Sequence, residues 1–545
     1  VDRADAINAK NARKTENAKK AGTARKRVLV AGIDTSTQSC KVRVTDAATG
    51  QMVRFGQAKH PDGTRVNPEA WWQAFQEAAQ QAGGLADISA LSVGGQQHGM
   101  VLLDEQGQVI RDAMLWNDTS SAPQAQALID RLGLPEQGQG LLAEHEAEFI
   151  DPNDAQHVRG IKRWVKAVGS SLVASLTITK LAWVAQNEPD NASRIAAVCL
   201  PHDWLSWRIG GNGPVKSGRA NLDALFTDRS DASGTAYFNS ASNQYRTDLI
   251  DLALGRHDIL LPRVLGPTQV GAVADPAIAG SDIEGDCLIG PGGGDNAMAS
   301  LGLGMSVGDV SVSLGTSGVA AAVSPAPAYD MTGAVTGFAD CTGHWLPLAC
   351  TINGSRILDA GRRALGVDYD GLAQLAEKAE PGAGGITLIP YFDGERTPNR
   401  PDAKASLRGM TLANTKKENL ARAFVEGLLC SQRDCLEMVR GLGARINRIL
   451  LIGGGARSQA VRDLAPCVLG MNVQLPQPDE YVAIGAARQA AWLLEEGRNA
   501  ADAEEAANPG QVPQHQEPHW PVTIEKTLTG QNQPQVYHQY VAYRG

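Results

Sequence analysis

One local pattern occurs twice in this chain: a β-branched run enters a short turn rich in hydroxyls, or in hydroxyls and glycine, and then returns as a second strand. The first copy runs Arg27-Val28-Leu29-Val30-Ala31-Gly32-Ile33-Asp34, turns through Thr35-Ser36-Thr37-Gln38-Ser39, and returns as the alternating Cys40-Lys41-Val42-Arg43-Val44-Thr45-Asp46. The second runs Val310-Ser311-Val312-Ser313-Leu314, turns through Gly315-Thr316-Ser317-Gly318, and returns as Val319 to Val323. A tight turn of this kind offers backbone N–H groups and Ser/Thr hydroxyls that can cradle a phosphate. Asp34 stands where a hydrated Mg²⁺ could be held. Either segment alone is equally an ordinary hairpin with polar turn residues. Two of them about 280 residues apart imply duplicated halves that face one another across a cleft.

Two further glycine turns extend the pattern. Gly290-Pro291-Gly292-Gly293-Gly294 follows the apolar Cys287-Leu288-Ile289 and presents Asp295 and Asn296. Glycine lets a substrate come close to the backbone, so Asp295 is a candidate proton acceptor, although a solvated loop carboxylate has the same signature. Gly453-Gly454-Gly455-Ala456-Arg457-Ser458 follows the buried-strand pattern Arg448 to Ile452 and could pack closely against a base and ribose. The order hairpin, glycine turn with acid, hairpin, glycine turn favours an ATP-dependent phosphotransferase. Its expected fold is α/β, with two duplicated actin-like or hexokinase-like (ribonuclease H-like) domains flanking a catalytic cleft.

At 545 residues the chain exceeds what one core usually serves, which agrees with two large domains. No apolar run is long enough to cross a bilayer, and a net charge of −9 argues against a protein that coats nucleic acid. The eight cysteines include no CxxC pair and fit buried thiols in a reducing cytoplasm. Residues 1–27 are basic and nearly free of large apolar side chains, so a disordered arm is expected there. Residues 498–545 read as a polar C-terminal tail, and residues 135–170, with Glu and Gln clusters, as an inserted polar segment. The apolar spacing from Asn419 to Arg440 predicts a core helix. Trp116, after Met114-Leu115, is either a sugar contact or a core residue, and Glu395 with Arg396 reads as an ion-paired loop brace.

Competing motifs fail on context. There is no GxxxxGK[ST] loop, since the segment from Gly211 to Ser217 lacks glycine before Lys216. Gly292 to Ala297 fits a loose dinucleotide pattern but would aim the Asp295 charge at a pyrophosphate. Gly304-Met305-Ser306-Val307-Gly308 lacks the preceding strand of a nucleophile elbow. Cys199 and His202 have ligand-like spacing but lie in or beside the apolar run Ala196 to Pro201, where a core strand is the better reading.

The ordered set AGIDTSTQSCK, GGQQHGMVLLD, LWND, TKLAW, PHDWLSWR, DRSDASGT, GPGGGDN, SLGTSG, PYFDGERTPNRPDA, EGLL and LIGGGARS, from about residue 28 to residue 494, resembles the FGGY carbohydrate kinases. The resemblance implies an N-terminal domain over 28–300, holding the sugar site, first phosphate turn and base. It implies a C-terminal domain over 301–497, holding the second phosphate turn and the adenosine site. It implies ATP and Mg²⁺, transfer of the γ-phosphate to the terminal hydroxyl of D-xylulose, and Asp295 as the base. Gln97, His98, Trp116, Asp295 and Asn296 would bind the sugar; Gln97 replaces a Met common among relatives. Thr37, Gln38, Ser39, Lys41, Gly315, Thr316, Gly454, Gly455 and Gln459 would bind ATP, and Asp34 with Asp295 would hold the metal. A homodimer is expected, since relatives are often dimers; no nucleic-acid or membrane partner is expected. Two other readings stay open: a related kinase for another ketose or polyol, and a non-catalytic sugar or ATP clamp of the same fold.

Overall fold

The computed structural model describes residues 27–135, 143–505 and 517–544. The expected basic arm, apart from Arg27, lies outside the described residues, as do 506–516 of the expected tail.

Two mixed sheets form the frame. The first uses β1 (Leu29–Thr35), β2 (Ser39–Asp46), β3 (Met52–Lys59), β4 (Ile88–Gly95), β5 (Ala272–Val273), β6 (Leu288–Ile289) and the short β7 (Gly293–Gly294). Its order is β3-β2-β1-β4-β6-β5, with β7 also on β4. Along that order the pairings are antiparallel, antiparallel, parallel, parallel and antiparallel. The second sheet uses β8 (Asp309–Leu314), β9 (Gly318–Ala322), β10 (Val335–Ala339), β11 (Trp345–Thr351), β12 (Arg448–Ile452), β13 (Val473–Pro476) and β14 (Ile524–Leu528). From β11 through β9, β8, β12 and β13 to β14 the same succession of pairings recurs, with β10 added outside β11. The two hairpins read in the sequence are β1–β2 and β8–β9, at corresponding places in the two copies.

Helices cover these sheets. α1 (Pro68–Gln81) starts at Asn67, whose side chain accepts from the Glu69 N–H, and buries Trp71, Ala74, Phe75 and Ala78 against the first sheet. α2 (Pro201–Ile209) and α3 (Asp295–Gly302) border the first domain's cleft side, and α4 (Lys417–Gly441) packs on the second sheet, where the predicted core helix falls. α5 (Gln459–Leu469) follows the third glycine turn. The chain then returns to the first domain, because α6 (Tyr481–Glu505) lies across β1, β4 and α3. Contact there is backbone to backbone. A Cβ on Gly32 would stand 1.9 Å from the Ala483 carbonyl, and one on Gly485 1.9 Å from the Met298 carbonyl.

Two expectations are corrected. Residues 517–544 are no polar tail. β14 completes the second sheet, the helix Pro534–Arg544 buries Val536 and Tyr540, and Trp520 is buried on Gly50, donating its indole N–H to the Ala47 carbonyl. The segment 135–170 is only in part an insertion. Its helix Gln156–Val168 packs on Ala122–Leu132 with Trp164 fully buried, and Gly160 sits so close that a Cβ would lie 2.0 Å from the Ile129 carbonyl. The strong amphipathic spacing was masked by the polar residues around it. All eight cysteines are unpaired.

Candidate active site

The site grows from the ends of β4, β7 and β1. β4 runs out at Gly95, and the next turn puts His98 at φ 68°, a left-handed conformation that disfavours a side chain. Several bonds fix it. The His98 carbonyl accepts from Lys180 Nζ at 2.7 Å and from Thr177 Oγ1 at 3.3 Å. Lys180 is fully buried and also donates to the Ser175 carbonyl. His98 Nδ1 lies 2.8 Å from the Gly234 carbonyl, which can only accept, so that nitrogen carries the proton and Nε2 keeps a lone pair. Burial first, then the Lys180 charge, push the His98 pKa down to about 3, so the ring is neutral. Phe338, from β10 of the second domain, lies 5.6 Å from it, ring centre to ring centre.

Gln97 and Asn296 meet across the two loops, with Asn296 Nδ2 donating to Gln97 Oε1 at 2.8 Å. Asp295 begins α3, where the helix N-terminus favours negative charge. Its Oδ1 accepts from the backbone and the side chain of Asn296. No cation pairs with Asp295 among the described residues. Burial, and then the neighbouring charges of Asp34 and Asp231, raise its pKa to about 7. Behind it, the Gly294 N–H donates to Ser230 Oγ, and His202 Nδ1 meets Asp231 Oδ2 at 2.8 Å in a fully buried cluster with Asp203. Asp203 and Asp231 lift the His202 pKa to about 9 against the opposing effect of burial, so it is an imidazolium that helps compensate the buried acids.

Asp34, at the end of β1, is buried; Ser36 donates to its Oδ1 and Lys41 to its Oδ2 at 3.1 Å. Burial is the largest influence on Asp34 and raises its pKa, with Lys41 and Ser36 opposing. Lys41 also pairs with Glu480 at 2.7 Å, and Arg43 with Asp479 at 3.1 Å, so the first hairpin is tied to the loop that enters α6. Beside these residues opens a cavity of about 430 Å³, with Asp34, Ser36 and Lys41 on one side and Gly453, Gly454 and Arg457 on the other. Gly453, at φ 88°, passes directly over Leu314, where a Cβ would lie 2.8 Å from the carbonyl.

The structure therefore gathers Asp34, Lys41 and Gly454 around one cavity, and Gln97, His98, Asp295 and Asn296 into a second group whose Asp295 feels the charge of Asp34. Other candidates lie at the margin. Thr37, Gln38, Ser39, Gly315, Thr316, Gly455 and Gln459 do not line that cavity. Ser39 Oγ accepts from Gln57, the Gly315 and Thr316 carbonyls accept from Ser355 and Gly354, and the Gln459 amide is taken by Asp463. Trp116 is 47% exposed and donates to Thr37 Oγ1 at 2.9 Å, which excludes the core reading. Glu395 does brace its loop, though not through an ion pair with Arg396. It is buried and accepts from Ile352 N, Asn353 Nδ2 and the Arg396 backbone N–H. Sequence reasoning missed Lys180, Ser230, Asp231, Phe338 and Gln489; only Lys180, a charge within an apolar stretch, carried a local signal.

Comparison with known proteins agrees with this frame. The N-terminal domain model of the FGGY family of carbohydrate kinases matches residues 29–139 and 155–302, and the C-terminal domain model matches 310–494. The chain belongs to the FGGY family of carbohydrate kinases. It is 42% identical over 473 residues to a xylulose kinase of Streptomyces coelicolor, covering 86% of this chain and 88% of that protein. It is 65% identical to a crystal structure of xylulose kinase from Bifidobacterium adolescentis, at a TM-score of 0.88, covering 95% of this chain and all of that one. A gluconate kinase from Lactobacillus acidophilus, 18% identical, shares the fold alone at a TM-score of 0.74, covering 95% of this chain and 96% of that one. Among the described residues no helix is long and apolar enough to cross a membrane.

Proposed function

We propose that this protein transfers the γ-phosphate of ATP to the terminal hydroxyl of D-xylulose, giving D-xylulose 5-phosphate and ADP. The observation that carries this reading is an unpaired Asp295 carboxylate with its pKa raised to about 7, beside Gln97 and Asn296 and next to the cavity that holds Asp34. The relatives named xylulose kinase, at 42% and 65% identity, support the sugar.

Asp295 serves as general base. It takes the proton of the attacking hydroxyl while the oxygen–phosphorus bond forms and the bond to the ADP oxygen breaks. A base near neutrality suits an alcohol that gives up its proton late in a loose phosphoryl transfer. His98 Nε2 accepts a sugar O–H, and Gln97 and Asn296 hold neighbouring hydroxyls. The cavity between Asp34 and the Gly453-Gly454 turn takes the nucleotide, with Lys41 against its phosphates.

Mg²⁺ fits this arrangement. No cluster of three His, Cys, Asp or Glu arranged to hold an ion occurs among the described residues, but Mg²⁺ needs only one or two carboxylates beside substrate phosphates and water. Asp34 and Asp295 supply two, and no cation pairs with the second among the described residues. When bound, the ion neutralises phosphate charge. Phe338 of the second domain, 5.6 Å from the His98 ring, supports a closed site in which water would be a poor rival nucleophile. The unpaired thiols fit a reducing, ATP-containing cytoplasm.

The test is ADP release from xylulose, ribulose, glycerol and gluconate, run on the wild type and on Asp295→Asn in parallel. The reading expects the highest kcat/KM with xylulose and its near loss in the variant. A preference for another sugar would reassign the substrate, and undiminished turnover by the variant would remove the base.

A further inference from the structure

The catalytic glycine turn is held from behind by a residue nearly two hundred positions later in the chain. Gly290 N–H donates to the Leu91 carbonyl and Gly293 and Gly294 pair with Gly94 and Gly95, so the segment would run along β4 as a continuous parallel strand were it not for Pro291 and Gly292. Pro291 has no N–H to give. Gly292 stands at φ 81°, packed so tightly that a Cβ would lie 2.4 Å from His202 Cδ2 and 2.8 Å from the Val93 carbonyl. Its own N–H and C=O are thereby turned away from the strand that should pair with them.

Gln489 of α6 fills that gap. It is fully buried, its Oε1 accepts from the Gly292 N–H at 3.0 Å, and its Nε2 donates to the Gly292 carbonyl at 3.1 Å. Ser92 Oγ, from the part of β4 whose edge toward the glycine turn is unpaired although its other edge pairs with β1, donates to the same Oε1. A primary amide has the donor and acceptor of a peptide group, so Gln489 stands in for the missing strand partner, and the backbone of Gly292 dictates which way the amide faces.

We infer that Gln489 is a positioning residue for the phosphoryl transfer, its side-chain amide clamping Gly292 and so fixing where Asp295, three residues on, meets the substrate hydroxyl. The inference rests on Asp295 being the base. An unclamped turn would leave two buried polar groups unpaired and free to seek other partners, moving the start of α3. Displacement of a reacting group by about 1 Å costs on the order of 100-fold in rate.

Two variants test it. Gln489→Met keeps the volume and removes both bonds. Gln489→Glu accepts as an anion and, once protonated, both accepts and donates. The expected result is a Met variant that folds and binds ATP with KM within twofold of wild type, but whose kcat per folded molecule is down about 100-fold. The Glu variant's kcat relative to wild type should rise as pH falls from 9 to 6. A folded Met variant with kcat within threefold of wild type, or a Glu variant whose kcat relative to wild type does not change with pH, overturns the inference. A glutamine that merely stabilised the fold would lower the melting temperature and leave kcat per folded molecule unchanged. Should the Met variant fail to fold, the Glu variant decides alone. Asp295→Asn is run alongside: if it retains turnover the base assignment fails, whereas its inactivity beside unaffected Gln489 variants removes only the clamp.

Discussion

Replacing Lys180 by Met tests how the sugar loop is held. The side chain has no exposed surface, and its ammonium donates to the His98 and Ser175 carbonyls, each at 2.7 Å. Met keeps most of the volume, one atom shorter, but cannot donate. His98 sits at φ 68°, a conformation that costs a non-glycine residue about 1–2 kcal/mol. Lys180 holds it there through the carbonyl. Without that bond the loop relaxes, and the sugar-competent fraction falls by a factor of about 5–30, the Boltzmann weight of that energy at RT of about 0.59 kcal/mol. Apparent affinity falls in proportion, so KM for the ketose should rise about 5- to 30-fold. KM for ATP should not move, because Lys180 does not line the cavity beside Asp34. Burial also brings the Lys180 pKa down to about 7. Raising the pH through that value removes the charge that strengthens the bond, so the wild-type sugar KM should climb with pH while that of the variant stays flat. The assay is coupled ADP release against xylulose at saturating ATP and against ATP at saturating xylulose, from pH 6 to 9. A folded variant whose sugar KM lies within twofold of wild type, or whose ATP KM rises in step with it, refutes the reasoning.

Asp295→Asn should lower kcat by about 100- to 10,000-fold, the contribution of a general base, while calorimetric titration finds binding of a non-hydrolysable ATP analogue unchanged; a loss confined to nucleotide affinity would contradict the role. Because Asp295 must be ionised to act and its pKa is raised to about 7, kcat/KM should fall as the pH drops through that value, and a flat profile from pH 6 to 9 would count against it. Gly32→Ala puts a methyl 1.9 Å from the Ala483 carbonyl and 2.5 Å from the Ala487 nitrogen. Overpacking of this kind costs about 1–3 kcal/mol or more, so scanning calorimetry should show a lower melting temperature, and an unchanged one would mean that α6 does not lie on β1 as described.

The hairpins β1–β2 and β8–β9 and the glycine turn before Asp295 were legible because each is a local device. Strand patterning and turn chemistry lie within a dozen residues, and glycine marks where backbone must bend or be approached. The rest was hidden for two reasons. Gln489 and Ser230 act through hydrogen bonds to backbone almost two hundred and about sixty residues away, a pair from Gln489 and a single one to Ser230, which no local sequence pattern marks. β14 and Trp520 follow a polar stretch whose composition reads as a tail, yet β14 pairs with β13 along most of its length. Trp116 illustrates the limit from the other side. A Trp behind Met114-Leu115 fits a core position, and only its exposure and its bond to Thr37 show it standing outside the core.

One element joins the parts of the site, and the return of the chain explains why it can. α6 starts beside Asp479 and Glu480, which hold Arg43 and Lys41 on the first hairpin, and two and a half turns later it presents Gln489 to the glycine turn before Asp295. Between these points small residues let its backbone touch the chain at Gly32, Met298 and Gly302, so that little slack separates the hairpin from Asp295. The following strap carries Glu517 against Arg488 and then joins the edge of the second sheet through β14. Asp34 on the hairpin and Asp295 after the glycine turn are thus braced by the same helix. On the proposed function, that brace fixes the phosphate and sugar sites relative to one another, as an in-line transfer between two separately bound substrates requires.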